Sequence, residues 1–121
     1  MGATHVINPK ETEDVLGRIK ELGGGGVTHA LDTTGIPAVI GVAVEALLPN
    51  GTLGLIGVPP PDATMPANLM SMLLRGVGVK CITEGDADPQ TFIPRMIGWY
   101  KEGKFPFDKL IKKFPFDQIN E

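Results

Sequence analysis

The sequence predicts an α/β protein built on a parallel sheet, and three observations carry that prediction. Val27–Asp32 and Thr52–Val58 are short apolar runs bounded by Gly and Pro, the pattern of buried parallel strands. Between them Ile36–Leu48 is apolar and of helix length, so the unit reads strand–helix–strand, a crossover that leaves its two strands parallel. The second strand then leaves through Pro59-Pro60-Pro61. Ligands of open parallel sheets bind beyond the carboxyl ends of the strands. Those ends are Asp32–Gly35 and Gly57–Pro60, which belong on one rim and form the first candidate site.

In chain order, Thr4–Asn8 reads as a short strand that Asn8-Pro9 stops, because proline lacks a donor and holds its predecessor extended. Thr12 is the predicted cap of a helix to Leu22, with Val15, Leu16, Ile19 and Leu22 on one face. Acidic residues lie near its start, and Arg18 and Lys20 near its end, in the sense that suits the helix dipole. The glycine run Gly23–Gly26 follows a helix and enters a strand. A phosphate-binding loop has the opposite context, so this run reads as a helix stop and turn.

The helix over Ile36–Leu48 takes Pro37 in its first turn and ends at Pro49-Asn50-Gly51. Its all-round apolar surface predicts packing against the sheet and a second neighbour. A short helix over Ala67–Leu74 is rich in Leu and Met, which suits adaptable packing better than a metal or cofactor role. Val77–Thr83 is the next predicted strand. A helix from Pro89 to Glu102 follows, with Phe92, Ile93, Met96, Ile97 and Tyr100 on one stripe and Gly103 as its stop. In the tail the doubled Phe-Pro-Phe-Asp is a local echo, far too short in period for a solenoid. Asp117 reads as an N-cap with only four residues after it, and the chain opens directly on a strand. Both ends therefore read as those of an internal piece of a longer protein.

Composition bounds the function. With 42% hydrophobic and 21% charged residues over 121 positions, this is an ordinary globular sequence with room for one core. A net charge of −3 without a basic stripe argues against nucleic acid as a partner. The single cysteine, Cys81, excludes an intrachain disulfide framework, and no Cys/His spacing suggests a structural zinc site. No apolar run is long enough to span a bilayer, and no secretory start is present, so a cytoplasmic protein is expected.

Isolated chemical residues read plainly. His5 and His29 sit in or beside strands with no carboxylate to orient them, as ordinary strand-end histidines. Asp32 precedes Thr33-Thr34 and reads as a turn or capping residue rather than a general base. Glu84 and Asp86 at a strand exit are turn chemistry, and Cys81, within a strand, is expected to be a buried small hydrophobe. Trp99-Tyr100 reads as helix packing, and Lys109, Lys112 and Lys113 as a solvated face.

Taken together, Leu31-Asp32-Thr33-Thr34-Gly35, the stretch Gly51–Pro60 and the tail Phe105–Glu121 resemble the medium-chain, zinc-dependent alcohol dehydrogenases. Gly2–Pro9 is similar to the strand after that family's ribose-binding segment. Glu84-Gly85-Asp86 followed by Phe92-Ile93-Pro94 resembles its aryl-alcohol branch. The resemblance implies a partial Rossmann-type domain over residues 1–121: about four parallel strands with flanking helices, lacking the first βαβ unit. It implies that Thr33, Thr34 and Gly35 lie near the adenosine side of NAD. It places Ile56, Gly57 and Val58 at the nicotinamide end, and Ile82, Thr83 and Glu84 near the carboxamide.

The departures bound this reading. No Gly-x-Gly-x-x-Gly opens a βα unit, so the pyrophosphate site and the ribose-binding acid are missing, and NAD is not distinguished from NADP. The family's zinc ligands belong to a catalytic domain not present here. No catalytic or metal residue is expected in this chain, no cofactor is expected to bind it alone, and it is expected to be inactive by itself. In the order 3-2-1-4-5-6 it would supply strands 3 to 6. Thr4–Asn8 then has no native neighbour and Val27–Asp32 has an open edge. That predicts self-association, rearrangement or disorder at residues 1–10, with the last strand as a second route to an oligomer. The implied parent transfers hydride between a primary alcohol, an aromatic one in the aryl-alcohol branch, and NAD, so its small-molecule partners are alcohol and aldehyde. A zinc-free quinone-reductase-like relative and a non-enzymatic self-associating α/β module remain as alternatives.

Overall fold

The computed structural model describes residues 2–120, which divide into two compact units, 3–86 and 87–120 together with residue 2. The larger unit runs α1 (Val15–Leu22), β1 (Val27–Asp32), α2 (Pro37–Ala46), β2 (Leu47–Leu55), α3 (Leu69–Arg75) and β3 (Gly78–Cys81). The three strands form one parallel sheet in the order β1-β2-β3. That order is the one implied for the last three strands of the resembled domain. The α/β fold with a partial parallel sheet is thus observed, with three strands instead of four.

Register explains which face is covered. Ala30, Leu53 and Val79 lie side by side across the sheet. All three belong to the core, which α2 supplies with Ile40 and Val44 and α3 with Met72. Leu53 and Val44 are fully buried, at 0% exposure. The next row, Leu31, Gly54 and Lys80, points to the opposite face, and there Leu31 and Lys80 are exposed. Burial on both faces, as the apolar runs suggest, is therefore met on one face only. The second neighbour expected for α2 is α1: Val39 and Val42 face Val15 and Ile19 across an apolar groove.

Several boundaries differ from the sequence expectation. Thr4–Asn8 forms no strand, because no neighbouring strand among the described residues offers it a ladder. Asp14, not Thr12, caps α1, its Oδ1 accepting from the Gly17 amide at 2.8 Å. α2 stops at Ala46 and β2 begins at Leu47, since the residue before Pro49 avoids helical geometry. Asn50, at φ 61°, carries the bulge that separates the Val27–Leu47 pair from His29–Thr52. The ladder of β2 ends at Leu55, not Val58, because Ile56 and Gly57 turn to bond a single carbonyl, that of Asp32. α3 is capped by Asn68 and closed by the left-handed Gly76. β3 is shorter than Val77–Thr83, although the Ile82 amide still donates to the Leu55 carbonyl.

Arg75 ties the end of α3 to the end of α2. Its guanidinium donates to the Leu47 carbonyl at 2.9 Å and to the Val44 carbonyl at 3.4 Å, beside Glu45 at 3.7 Å. A cation on the carbonyl end of a helix also complements its dipole.

In the smaller unit, α4 spans Pro89–Lys101 as the stripe predicts, with Asp88 as N-cap and left-handed Gly103 just past its end. Trp99 packs within the unit, edge-on to Phe92 at 6.0 Å and under Arg95 at 4.7 Å, as helix packing requires. Tyr100 lies 4.6 Å from Phe107. The tail holds two short 3₁₀ turns, Phe107–Leu110 and Phe116–Gln118. Pro115, not Asp117, stands at the N-cap of the second, because proline's fixed φ starts the turn two residues earlier than expected.

Candidate functional site

β1 and β2 are parallel neighbours, so their carboxyl ends open on the same side of the sheet. Asp32 ends β1 and is buried, at 3% exposure. Its Oδ1 accepts from the Thr34 amide at 3.1 Å and the Thr34 hydroxyl at 2.6 Å, and its Oδ2 accepts from the Gly35 amide at 2.9 Å. The Thr34 hydroxyl in turn accepts from the Ile36 amide at 3.1 Å, leading the chain into α2. Asp32 is thus the turn residue its context predicts. Burial pushes its carboxyl up, but the Thr34 hydroxyl and the Gly35 and Thr34 amides outweigh it, holding the group below its ordinary 3.8.

The backbone of Asp32 faces the other loop. Its carbonyl accepts from Ile56 at 2.9 Å and Gly57 at 3.1 Å. The two loops then touch backbone to backbone. A Cβ at Gly35, where φ is 67°, would lie 2.5 Å from the Val58 carbonyl oxygen and 2.8 Å from the Pro59 nitrogen. A Cβ at Gly57 would collide with the Gly35 amide nitrogen and stand 2.7 Å from backbone atoms of Thr34. Only glycine fits either place.

Beside this seam lies an open apolar recess of about 250 Å³. Ile56, Gly57, Val58 and Pro59 line one side and Cys81, Ile82 and Thr83 the other, with Ile40 and Leu55 at its base. Eight of the nine residues singled out in the sequence thus fall into two connected features. Thr33, Thr34 and Gly35 form the turn, and Ile56, Gly57 and Val58 line both the seam and the recess. Ile82 and Thr83 complete the recess wall. Glu84 is outside it, exposed in a left-handed turn with Gly85 and Asp86, where Asp86 pairs with Lys80 at 3.6 Å.

Cys81 corrects an expectation. It is exposed, because it lies on the short last strand at the sheet's edge and turns toward the recess. Sequence reasoning missed its place; that Val77–Thr83 comes last in the sheet is the signal that could have found it. His5 and His29 are exposed, each bonded only to the hydroxyl of the preceding threonine. Among the described residues no three His, Cys, Asp or Glu side chains converge on a possible metal position.

The model of the zinc-binding dehydrogenase family matches residues 1–102. Geraniol dehydrogenase of Castellaniella defragrans is 54% identical over 121 residues, which cover 100% of this chain and 32% of that protein. The crystal structure of an alcohol dehydrogenase zinc-binding domain protein from Burkholderia ambifaria superimposes with a TM-score of 0.91 at 45% identity, over 98% of this chain and 32% of the other. Benzyl alcohol dehydrogenase of Acinetobacter calcoaceticus gives a TM-score of 0.91 at 40% identity, over 98% and 33%. The chain therefore spans about a third of the length of the relatives it matches. With a family match over most of its length and a fold that superimposes on these structures, the chain belongs to the zinc-binding dehydrogenase family.

Proposed function

We propose that residues 1–121 act as part of the coenzyme-binding domain of an NAD(P)-dependent, zinc-containing alcohol dehydrogenase. The carrying observation is the recess at the carboxyl ends of β2 and β3, where Ile56–Val58 and Ile82–Thr83 stand together. Its volume, below the ~300–1,000 Å³ of drug-sized ligand sites, and its apolar walls fit one flat end of a dinucleotide rather than the whole. A coenzyme held there would supply the hydride acceptor for alcohol oxidation and the hydride donor for aldehyde reduction. The chain's own share is to hold that ring: Ile56 and Val58 supply apolar walls, Gly57 lets the backbone come close, and the backbone of Ile82–Glu84 meets the carboxamide. Thr33, Thr34 and Gly35 lie on the adenosine side.

The described residues do not fit a zinc ion, so zinc would be held by ligands outside this chain. The substrate would be a primary alcohol. Benzyl alcohol and geraniol, from the names of two relatives, are the first to try.

The deciding experiment reads the native gene product upstream of Met1 and assays it for alcohol-dependent reduction of NAD and NADP. A Gly-x-Gly-x-x-Gly βα turn, a Cys/His ligand set and turnover are expected. The turn without the ligand set would favour a zinc-free reductase of the same superfamily.

A second reading, a self-associating module, draws on the free outer edge of β1. Sedimentation of the chain at several concentrations tests it, and a concentration-independent monomer would end it.

A further inference from the structure

The two loops at the rim meet at one residue. Asp32 offers its carboxylate to the amides of Thr34 and Gly35 and its carbonyl to the amides of Ile56 and Gly57. It is the only buried polar or charged side chain among the described residues, and every carboxylate bond it makes is to the turn of residues 34–35. A plain β-to-α connection does not need a buried charge; Ser, Thr or an exposed Asp serves such turns. Here the connection has a further geometric duty. Gly35 is pressed against the Val58–Pro59 backbone, so whatever fixes the turn also fixes the recess wall that Val58 and Pro59 form.

The geometry points to Asp32 as a positioning residue: by clamping the turn against the Gly57–Val58 backbone, it sets the width of the recess. The inference deepens the coenzyme reading, since the recess is where the nicotinamide end would lie. Asp32 does not itself line the recess: its carbonyl holds the Ile56 and Gly57 amides of the lining, and its carboxylate acts on that wall through the turn and Gly35.

Asp32→Asn is the informative change. It keeps the shape and one acceptor oxygen but turns the other into a donor facing the Thr34 or Gly35 amide, which leaves at least one buried amide unsatisfied. Thr34→Val is the second variant, removing only the hydroxyl link to Asp32 and Ile36 should Asp32→Asn fail to fold. Thr34→Ser, which keeps the hydroxyl, should leave the ligand-free amide pattern of Gly35, Gly57 and Val58 as in the parent.

Two measurements decide the matter. In the first, amide resonances and hydrogen exchange of the 121-residue chain are compared without ligand. Asp32→Asn is expected to shift Gly35, Gly57 and Val58 together and to speed their exchange about tenfold, leaving α1 unchanged. Changes confined to Thr34 and Gly35 would make Asp32 a local turn residue and overturn the inference. In the second, the same substitution in the full-length gene product is expected to raise KM for NAD about tenfold, with kcat and the alcohol KM within threefold of the parent. A uniform loss of kcat with KM for NAD unchanged would also overturn it. If the parent protein shows no NAD-dependent turnover at all, the coenzyme reading falls, and the ligand-free comparison still decides whether Asp32 sets the rim.

Discussion

The two units of this chain are organised by different physics. Residues 3–86 bury Ile40, Val44, Ala46, Leu47 and Leu53 between one face of a parallel sheet and its helices. In residues 87–120 no side chain is buried, and Phe105, Phe107, Phe114 and Phe116 are exposed. Yet α4 is the longest helix of the molecule and begins at the residue the sequence names. Its Asp88 cap, first-turn Pro89 and closing Gly103 are local signals that need no core. Strands have no such local guarantee. Thr4–Asn8 is apolar like β1 but has no ladder, and it stays irregular.

The contrast can be broken most sharply in the core. Leu53→Ala should cost about 2–5 kcal/mol, whereas Ile97→Ala on the half-exposed stripe of α4 should cost under about 1 kcal/mol. Urea unfolding of both variants checks this, and equal shifts in midpoint would show that burial does not separate the units.

Arg75→Ala removes the bonds that join α3 to the end of α2, and a loss of about 1–2 kcal/mol is expected by the same measurement. Arg75→Lys should recover little of it, since an ammonium cannot reach the Leu47 and Val44 carbonyls with one planar fork.

Acid should tell the carboxylates apart. Hydrogen bonds hold Asp32 and Asp88 below 3.8: Asp32 against its burial, Asp88 through the Thr91 hydroxyl and the Gln90 amide. A lowered folded-state value means the stabilisation is complete above the unfolded-state value and is lost as pH falls through the folded one. Unfolding midpoints should therefore drop below about pH 4. In Asp32→Asn part of that acid sensitivity should vanish. In Asp88→Asn the helical circular-dichroism signal should lose its remaining pH dependence while the core's midpoint stays acid-sensitive.

The smallest effect is a gain. Glu84 holds φ at 51°, a left-handed geometry that costs a side-chain-bearing residue roughly 1–2 kcal/mol. Glu84→Gly should be neutral to about 1 kcal/mol stabilising in the thermal midpoint, since glycine's freedom in the unfolded chain offsets part of the relief.

Much of the fold was legible because its signals are local. Val27–Asp32 is the observed β1 to the residue, and the breakers Pro49 and Gly103 each follow a helix. The turn role of Asp32 was legible for the same reason, an Asx residue two positions before Thr34. The recess was legible only in outline, since parallel strands put their ends on one rim. That Ile56 and Thr83 share one cavity depends on the β1-β2-β3 order, which no local pattern states.

The sequence by itself determined the α/β class, the helices and the candidate rim, because periodicity, caps and breakers act over a few residues. Tertiary structure alone decided two things. Cys81 is exposed, because edge position belongs to the sheet as a whole. Gly35 and Gly57 interlock, because their contact joins loops that are distant in the chain and adjacent only once β1 and β2 are paired.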